Sequence, residues 1–213
     1  MEMYKGISAT DGNGTLNPAT VSTPVTNDIE NVNAGDEVTF VLTTINAGGA
    51  IAYDVIVKDS IPAGATSCTL IATDPVKYGD GTAVNGSEYS GSPFDAAGMT
   101  IDSVYETGDA SKRDTITVTC TCVITGTVPP DTVFSNYGKM QWRSAPIVEE
   151  GDANLFSTEI DSASLEVGRP GLTKTLSSIS PNGSGDADIV VPGDTVTYQL
   201  SITCLLYTSP SPR

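Results

Sequence analysis

The chain contains no histidine among its 213 residues. This absence excludes mechanisms in which an imidazole acts as the base, such as a Ser-His-Asp triad, and it excludes histidine-ligated metal sites. Helix signals are nearly absent, and no glycine-rich phosphate-binding loop precedes a helix. We therefore predict that the chain is not an enzyme and that it holds no cofactor.

Positive charge is also scarce, with 10 Lys and Arg residues against 26 Asp and Glu residues and a net charge of −16. Nucleic acids and anionic membrane surfaces are bound through clustered Lys and Arg, so we predict neither as a partner. No hydrophobic run approaches the roughly 20 residues of a membrane helix, so this fragment is not expected to insert into a membrane.

The N-terminus lacks the basic and then apolar segments of a secretory signal. We interpret the chain as an internal fragment of a longer extracellular or cell-surface protein, with signal and anchor on the missing ends.

Cysteine is rare. Cys204 opens a ten-residue tail, 204–213, that breaks the strand pattern and is similar to the translation of a transposase adapter used in sequencing-library preparation. We exclude this tail from fold reasoning as non-native. The three remaining cysteines rule out a disulfide-rich scaffold. Two alternatives stay open: one bridge from Cys68 to Cys120 or Cys122, or three buried thiols, which we favour.

Alternating apolar residues predict β-strands along most of the chain. In the segment Gly35–Gly64, the pattern indicates two strands joined by a glycine turn at 46–49 and closed by a proline turn, which we interpret as a hairpin. Further strands are expected at 3–8, 20–26, 66–72, 99–105, 114–125, 132–143 and 155–167. In the run 114–125, Cys120 and Cys122 share the apolar face, so they are expected in the core.

The opening of that central segment recurs near the C-terminus. Asn33–Leu42 (NAGDEVTFVL) has its counterpart in 191–200 (VPGDTVTYQL), 158 residues later. A repeat at this spacing indicates tandem domains rather than a solenoid. We predict a complete unit at 1–167, a linker at 168–171 and the N-terminal part of a second repeat at 172–203.

The motifs Gly-Asp-x-Val-Thr-Phe/Tyr, Asn-x-Gly and Asp-x-Ile-Pro-x-Gly, with the later strand 134–142, resemble the conserved repeat domain of large bacterial and archaeal surface proteins (domain of unknown function 11). The resemblance covers roughly residues 3–167 and the fragment from Leu172. It implies an all-β fold, an immunoglobulin-like antiparallel β-sandwich, in an extracellular repeat protein without enzymatic activity. Its partners would be neighbouring repeats of the same polypeptide.

A loop-rich insertion interrupts the strand pattern at 74–113. It carries four aromatic residues, Tyr78, Tyr89, Phe94 and Tyr105. Long loops are often functional, and exposed tyrosines suit recognition. The alternative function is therefore an adhesin-type module whose insertion contacts a host or neighbouring-cell ligand. The competing interpretation is a surface insertion without a function of its own.

Four polar residues occupy apolar strand faces, where an unpaired charge or amide is costly. Lys5 lies between apolar residues of the first strand, and Lys174 does so at the start of the second unit. Asn136 and Asp59 lie at the same alternate positions as the apolar residues of their strands, and therefore on the same strand faces. Ordinary explanations are that Lys5 reaches solvent from an edge strand, Asn136 bonds a loop backbone, and Asp59 caps the proline turn.

One arrangement explains these positions together. Surface-protein sandwiches of the collagen-adhesin type join a lysine of the first strand to an asparagine of the last strand with the help of a buried acid. This resemblance assigns Lys5 as nucleophile, Asn136 as the amide lost as ammonia, and Asp59 as proton shuttle, giving an isopeptide cross-link. Lys174 is the corresponding lysine of the second unit.

Two runs alternate oxygen-bearing side chains, as calcium loops do: Asp11-x-Asn13-x-Thr15 and Asn182-x-Ser184-x-Asp186-x-Asp188. Neither is followed by a glutamate at the expected distance, and glycine-rich turns share the pattern. We therefore predict no metal site.

Overall fold

The structure, a computed structural model, describes residues 1–12, 14–108, 113–146, 157–180 and 190–203. The chain divides into two compact units, Met1–Gly168 and Arg169–Arg213. Among the described residues, no helix is long and apolar enough to cross a membrane. The strands are β1 (Glu2–Thr10), β2 (Thr15–Asn17), β3 (Asp28–Val32), β4 (Glu37–Ile45), β5 (Ala52–Asp59), β6 (Ala65–Leu70), β7 (Val76–Tyr78), β8 (Tyr89–Ser90), β9 (Met99–Val104), β10 (Thr115–Ile124), β11 (Val133–Arg143), β12 (Ser157–Val167), β13 (Gly171–Ser180) and β14 (Thr195–Thr203).

The first unit is a β-sandwich of two sheets. Sheet A has the order β1-β4-β10-β6, with β7 also pairing with β10. Sheet B has the order β2-β3-β12-β11-β5-β9-β8. All pairs are antiparallel except β3 with β12. The prediction of an all-β, immunoglobulin-like sandwich is confirmed.

The core lies between the two sheets because the inward-facing positions of both are apolar. Strand β10 shows this most clearly, since every second side chain from Ile116 to Ile124 is buried and those between are half-buried. Each fully buried aliphatic side chain contributes about 1.5–3 kcal/mol. The core includes Ile7, Phe40, Leu42, Val118 and Cys120 from sheet A, and Val55, Val57, Met99, Ile101, Met140 and Leu165 from sheet B.

The predicted hairpin at 35–64 is wrong, although both of its strands exist. Strand β4 lies in sheet A and β5 in sheet B, so the connection crosses from one sheet to the other. The Asn46 side chain holds this crossover, because its Nδ2 donates to the carbonyls of Ala50 (2.8 Å) and Val104 (3.1 Å). Alternation along each strand predicts its faces but does not show which strand it pairs with.

The predicted strand at 20–26 is a loop instead. The Asn27 side chain organises it: Nδ2 donates to the carbonyl oxygens of Pro18 (2.6 Å) and Thr20 (2.9 Å), and Oδ1 accepts from the Ser22 N–H (2.9 Å). Asn27 is fully buried. A side chain that satisfies loop backbone groups in this way replaces the ladder that a strand would need.

The insertion at 74–113 is part of the sandwich rather than an addition to its surface. Its strand β7 pairs with β10, and its strand β9 pairs with β5. Val76, Met99, Ile101 and Val104 from this segment are buried in the core. Strand β9 agrees with the strand predicted at 99–105, whereas the loop-rich composition concealed β7, a stretch of only three residues.

The second unit contains the antiparallel pair β13–β14, and its register repeats that of β1–β4. Lys5 lies opposite Leu42 in the first unit, and Lys174 lies opposite Leu200 in the second. Both pairs also shift register at one equivalent place, after Ile7 and after Leu176. The repeat seen in the sequence therefore extends to the backbone pairing.

We expect Ile101→Ala to lower the free energy of unfolding by about 2–5 kcal/mol, because a buried core side chain leaves a cavity. Ile101 is 1% exposed, whereas Ile160 on β12 is 63% exposed. The matched control Ile160→Ala should change stability by no more than about 0.5 kcal/mol. Urea denaturation measures both. Equal, small losses would contradict the placement of the insertion in the core.

Candidate functional site

The site is built around a lysine buried between the two sheets. Lys5 projects from β1 of sheet A, and its Nζ lies 2.6 Å from Oδ2 of Asp59 on β5 of sheet B. Both side chains have no exposed surface. Lys5 therefore does not reach solvent from the edge strand, and the Asp59 carboxylate binds the lysine rather than capping the proline turn.

The surroundings of the pair are largely apolar. Lys5 Nζ lies 5.0 Å from the centre of the Phe40 ring, and Cys120 Sγ lies 3.7 Å from Asp59 Oδ2. An aromatic face attracts a cation, and a thiol is a weak hydrogen-bond donor. Charges in such a place interact strongly with each other and are costly to separate.

Burial raises the pKa of Asp59 above its usual value, while the Lys5 ammonium and the nearby Cys120 and Asn136 side chains act in the opposite direction. The net direction is upward, so this carboxylate accepts a proton more readily than an exposed one. Transfer of a proton from the Lys5 ammonium to this carboxylate would give a neutral amine and a neutral acid. A neutral amine is the form that can act as a nucleophile.

Asn136 lies on the inward face of β11 and is fully buried. Its Oδ1 accepts a hydrogen bond from Ser60 Oγ at 3.4 Å. Its Nδ2 and Asp59 Oδ1 are buried and have no hydrogen-bond partner among the described residues. Buried polar atoms are nearly always paired, because leaving one unpaired costs about 1–3 kcal/mol. The site therefore holds an acid, an amine and an amide with two unused polar atoms.

One residue of this site was missed from the sequence. The backbone N–H of Lys5 donates to Asp161 Oδ2 on β12 at 2.7 Å. Asp161 shares the parity of Ala163 and Leu165, which are buried. The signal was therefore available, since a carboxylate on an apolar face is the same feature that identified Asp59.

The structure pairs Cys68 on β6 with Cys122 on β10 in a disulfide, with Cα atoms 4.1 Å apart. Cys120 is a buried free thiol, and burial raises its pKa. The alternative of three thiols and the pairing of Cys68 with Cys120 do not describe this structure. A thiol with a raised pKa is a poor nucleophile at neutral pH, so Cys120 acts as a core side chain.

The insertion aromatics are half-buried rather than exposed. Tyr78, Tyr89 and Phe94 pack against the core. Arg113 lies over the rings of Tyr78 (4.9 Å) and Tyr105 (5.4 Å). The cavity lined by both Tyr78 and Tyr105 is about 100 Å³, below the roughly 300 Å³ of typical ligand pockets. A second, open cavity of about 480 Å³ also borders Tyr78, between the insertion and the loop at Ser22–Val25.

Glu88 ties this aromatic group together. Tyr78 Oη donates to Glu88 Oε2 at 2.7 Å, and Glu88 also forms an ion pair with Arg113 at 3.7 Å. Burial, with the Glu88 hydrogen bond and charge, raises the pKa of Tyr78 to about 12. These contacts connect the first and last parts of the insertion with each other.

The remaining predicted positions lie elsewhere. Lys174 is exposed on β13, with its Nζ 3.9 Å from the centre of the Tyr198 ring. Asn13, the run 182–188 and the tail 204–213 lie outside the described residues. Within the described ranges no cluster of three or more Cys, Asp or Glu side chains could hold a metal ion.

No protein-family model and no curated protein sequence match the chain. Among solved structures it is similar to the T6 backbone pilin of serotype M6 Streptococcus pyogenes, with 10% identity over 87% of this chain and 39% of that chain and a TM-score of 0.42. It is also similar to the collagen-binding subdomain of Enterococcus faecalis surface protein ACE, with 12% identity over 64% of this chain and 92% of that chain and a TM-score of 0.36. A third similar structure is a D312A form of BcpA, the major pilin subunit of Bacillus cereus, with 10% identity over 92% of this chain and 56% of that chain and a TM-score of 0.44.

The chain thus spans less than two thirds of either pilin. At these TM-scores the similarities assign no function, and the resemblance to the conserved repeat domain stays a prediction.

The raised pKa of Asp59 predicts how the free energy of unfolding depends on pH. The folded state holds this proton to a higher pH than the unfolded state, whose carboxyl has a pKa of about 3.9. The stabilisation is complete below the unfolded pKa and is lost as the pH rises through the folded one. We expect wild type to gain stability relative to Asp59→Asn as the pH falls from about 7 to about 4.

Urea denaturation at constant ionic strength measures this difference. Glu159→Gln on β12 removes an exposed negative charge and is the matched control. The prediction is contradicted if the stability of wild type relative to Asp59→Asn increases as the pH rises toward 7.

Proposed function

We propose that the chain is a structural spacer module of a large secreted or cell-surface protein, and that its sandwich is locked by an isopeptide bond between Lys5 and Asn136. The observation that carries the proposal is the buried contact between Lys5 and Asp59, beside an Asn136 amide whose Nδ2 has no partner among the described residues. Burying a lysine and two further polar groups at one place is costly, and reaction would remove the charge.

The chemistry balances without any further reactant. Asp59 takes a proton from the Lys5 ammonium, and the neutral Nζ attacks Cγ of Asn136. Asp59 returns that proton to Nδ2, and the tetrahedral adduct collapses as the Cγ–Nδ2 bond breaks. Nζ then loses its second proton through Asp59 to the departing ammonia, which leaves as ammonium. An amine and a carboxamide become a secondary amide and ammonia, with no change in oxidation state.

The bond would connect the two sheets near the start of the chain. Lys5 lies on the edge strand of sheet A, and Asn136 lies on β11 inside sheet B. A pulling force on the N-terminal end reaches β1 first, and a covalent bond at Lys5 would carry that force directly into sheet B. Such a link also keeps β1 in place during transient opening, which protects the chain against proteases.

The disulfide supports an extracellular location. A bond between Cys68 and Cys122 persists in oxidising compartments and is rare in the cytosol. The strongly acidic composition suits a soluble surface module. Neighbouring repeats of the same polypeptide are the proposed partners, because β13–β14 repeats the pairing of β1–β4.

The adhesin-type alternative lacks a specific observation in its favour. It relied on exposed aromatic residues in the insertion, and these side chains pack on the core or on Arg113. We therefore treat the insertion as part of the sandwich, and we do not assign a ligand to it.

Intact mass spectrometry of the full chain, unfolded and treated with reductant, tests the proposal. We expect the wild-type mass to be about 17 Da below the sequence mass, because ammonia has been lost. Lys5→Met, Asp59→Ala and Asn136→Ala should each keep the full mass. Lys58→Met, which removes the lysine next to Asp59 on β5, should still show the loss.

Two further readings complete this test. Omitting the reductant should lower every mass by about a further 2 Da, because of the disulfide. Fragmentation should recover Lys5 and Asn136 in one branched peptide. A wild-type chain of full mass would remove the covalent bond from the proposal.

A further inference from the structure

Lys5 is held at two points, and the second has no role in the chemistry described so far. Its Nζ contacts Asp59, and its backbone N–H donates to Asp161 Oδ2 at 2.7 Å. Strand β1 is an edge strand, paired only with β4 within its sheet. The N–H of Lys5 points away from β4, where no neighbouring strand can accept it. The Asp161 carboxylate supplies the missing acceptor from the opposite sheet.

The two aspartates belong to one row of sheet B. Gly138 on β11 lies opposite Asp59 on one side and opposite Asp161 on the other. All three positions share the inward parity of their strands, so the row faces sheet A. We call this row, Asp59, Gly138 and Asp161, the lysine cradle.

The centre of the cradle is a glycine for a steric reason. A Cβ placed on Gly138 would lie 3.3 Å from Lys5 Cδ, 3.0 Å from Leu42 Cδ2 and 2.5 Å from Met3 Cε. The lysine stem therefore passes over the one position of the row that has no side chain. Any larger residue would push the stem and the neighbouring Met3 away from sheet B.

Two fixed contacts restrict the direction of the Lys5 side chain more than one does. With only the contact between Nζ and Asp59, the flexible four-carbon stem of a lysine can swing about a single point. Fixing the backbone N–H as well sets where the stem begins and where it ends, so that Nζ is held at one place beside Asp59. Orientation of this kind can account for a large part of an intramolecular rate.

We propose that Asp161 and Gly138 are positioning residues for the cross-linking reaction of Lys5: Asp161 fixes the lysine backbone, and Gly138 makes room for its stem. This inference rests on the proposed isopeptide bond and adds two residues that the amine, amide and acid do not include. Neither residue reacts, and Asp161 acts by accepting a hydrogen bond.

The experiment follows the reaction in the full chain over time. The protein is made by cell-free translation, samples are unfolded in guanidinium at intervals to stop the reaction, and the fraction that has lost about 17 Da is read by intact mass. We expect Asp161→Ala to slow the loss by at least about tenfold, the effect of one hydrogen bond to a charged acceptor. Asp161→Asn keeps an acceptor oxygen and should react within about threefold of wild type.

Three controls separate positioning from general effects. Glu159→Ala removes an exposed carboxylate two residues earlier on β12 and should react at the wild-type rate. Ile101→Ala destabilises the core away from the cradle and should also react normally at a temperature where it is folded. Gly138→Ala should slow the reaction, while Gly49→Ala, where a Cβ would meet nothing within 4 Å, should not.

The outcomes are distinct. If the wild type and Asp161→Ala lose mass at the same rate, the positioning inference is wrong and the isopeptide proposal stands. An Asp161→Asn variant as slow as Asp161→Ala overturns the role of the hydrogen-bond acceptor. Slowing of Ile101→Ala to the same degree would show that Asp161 acts only through stability. A wild-type chain that never loses mass overturns both proposals.

Discussion

The contact between Lys5 and Asp59 is the constraint on which the rest of the sandwich depends. An ammonium group and a carboxyl lie 2.6 Å apart with no exposed surface. Removing two such groups from water costs several kcal/mol each, and their attraction offsets this only with good geometry. The two sheets must therefore remain in register at this point, because a small slip would leave either charge buried and alone.

Several other features follow from the same place. Phe40 and Cys120 close the site from sheet A, and the disulfide of Cys122 with Cys68 ties the next inward position of β10 to β6. The buried Lys5, Asp59 and Asn136 are surrounded by aliphatic core side chains, whereas the buried Asn27 and Asn46 side chains bond loop backbone groups elsewhere.

Strand parity alone predicted much of the architecture. It placed Lys5, Asp59 and Asn136 on inward faces, and it placed Cys120 and Cys122 in the core. It could not show that β4 and β5 belong to different sheets, since alternation describes a strand's faces and not its neighbours. In the insertion it found β9 but missed β7 and β8, which are only three and two residues long. The role of Asp161 depends on a backbone N–H from a strand more than 150 residues away, and no local pattern encodes that contact.

The outer edge of β1 has a further consequence for contacts with other chains. The outward N–H of Lys5 is taken by Asp161, and that of Ile7 donates to the carbonyl of Asn27 at 2.8 Å. An open edge is a template on which another chain can add a strand. Here two successive outward donors of β1 are already occupied from within the same domain, so this edge of sheet A offers a poor start for the addition of a strand from another chain.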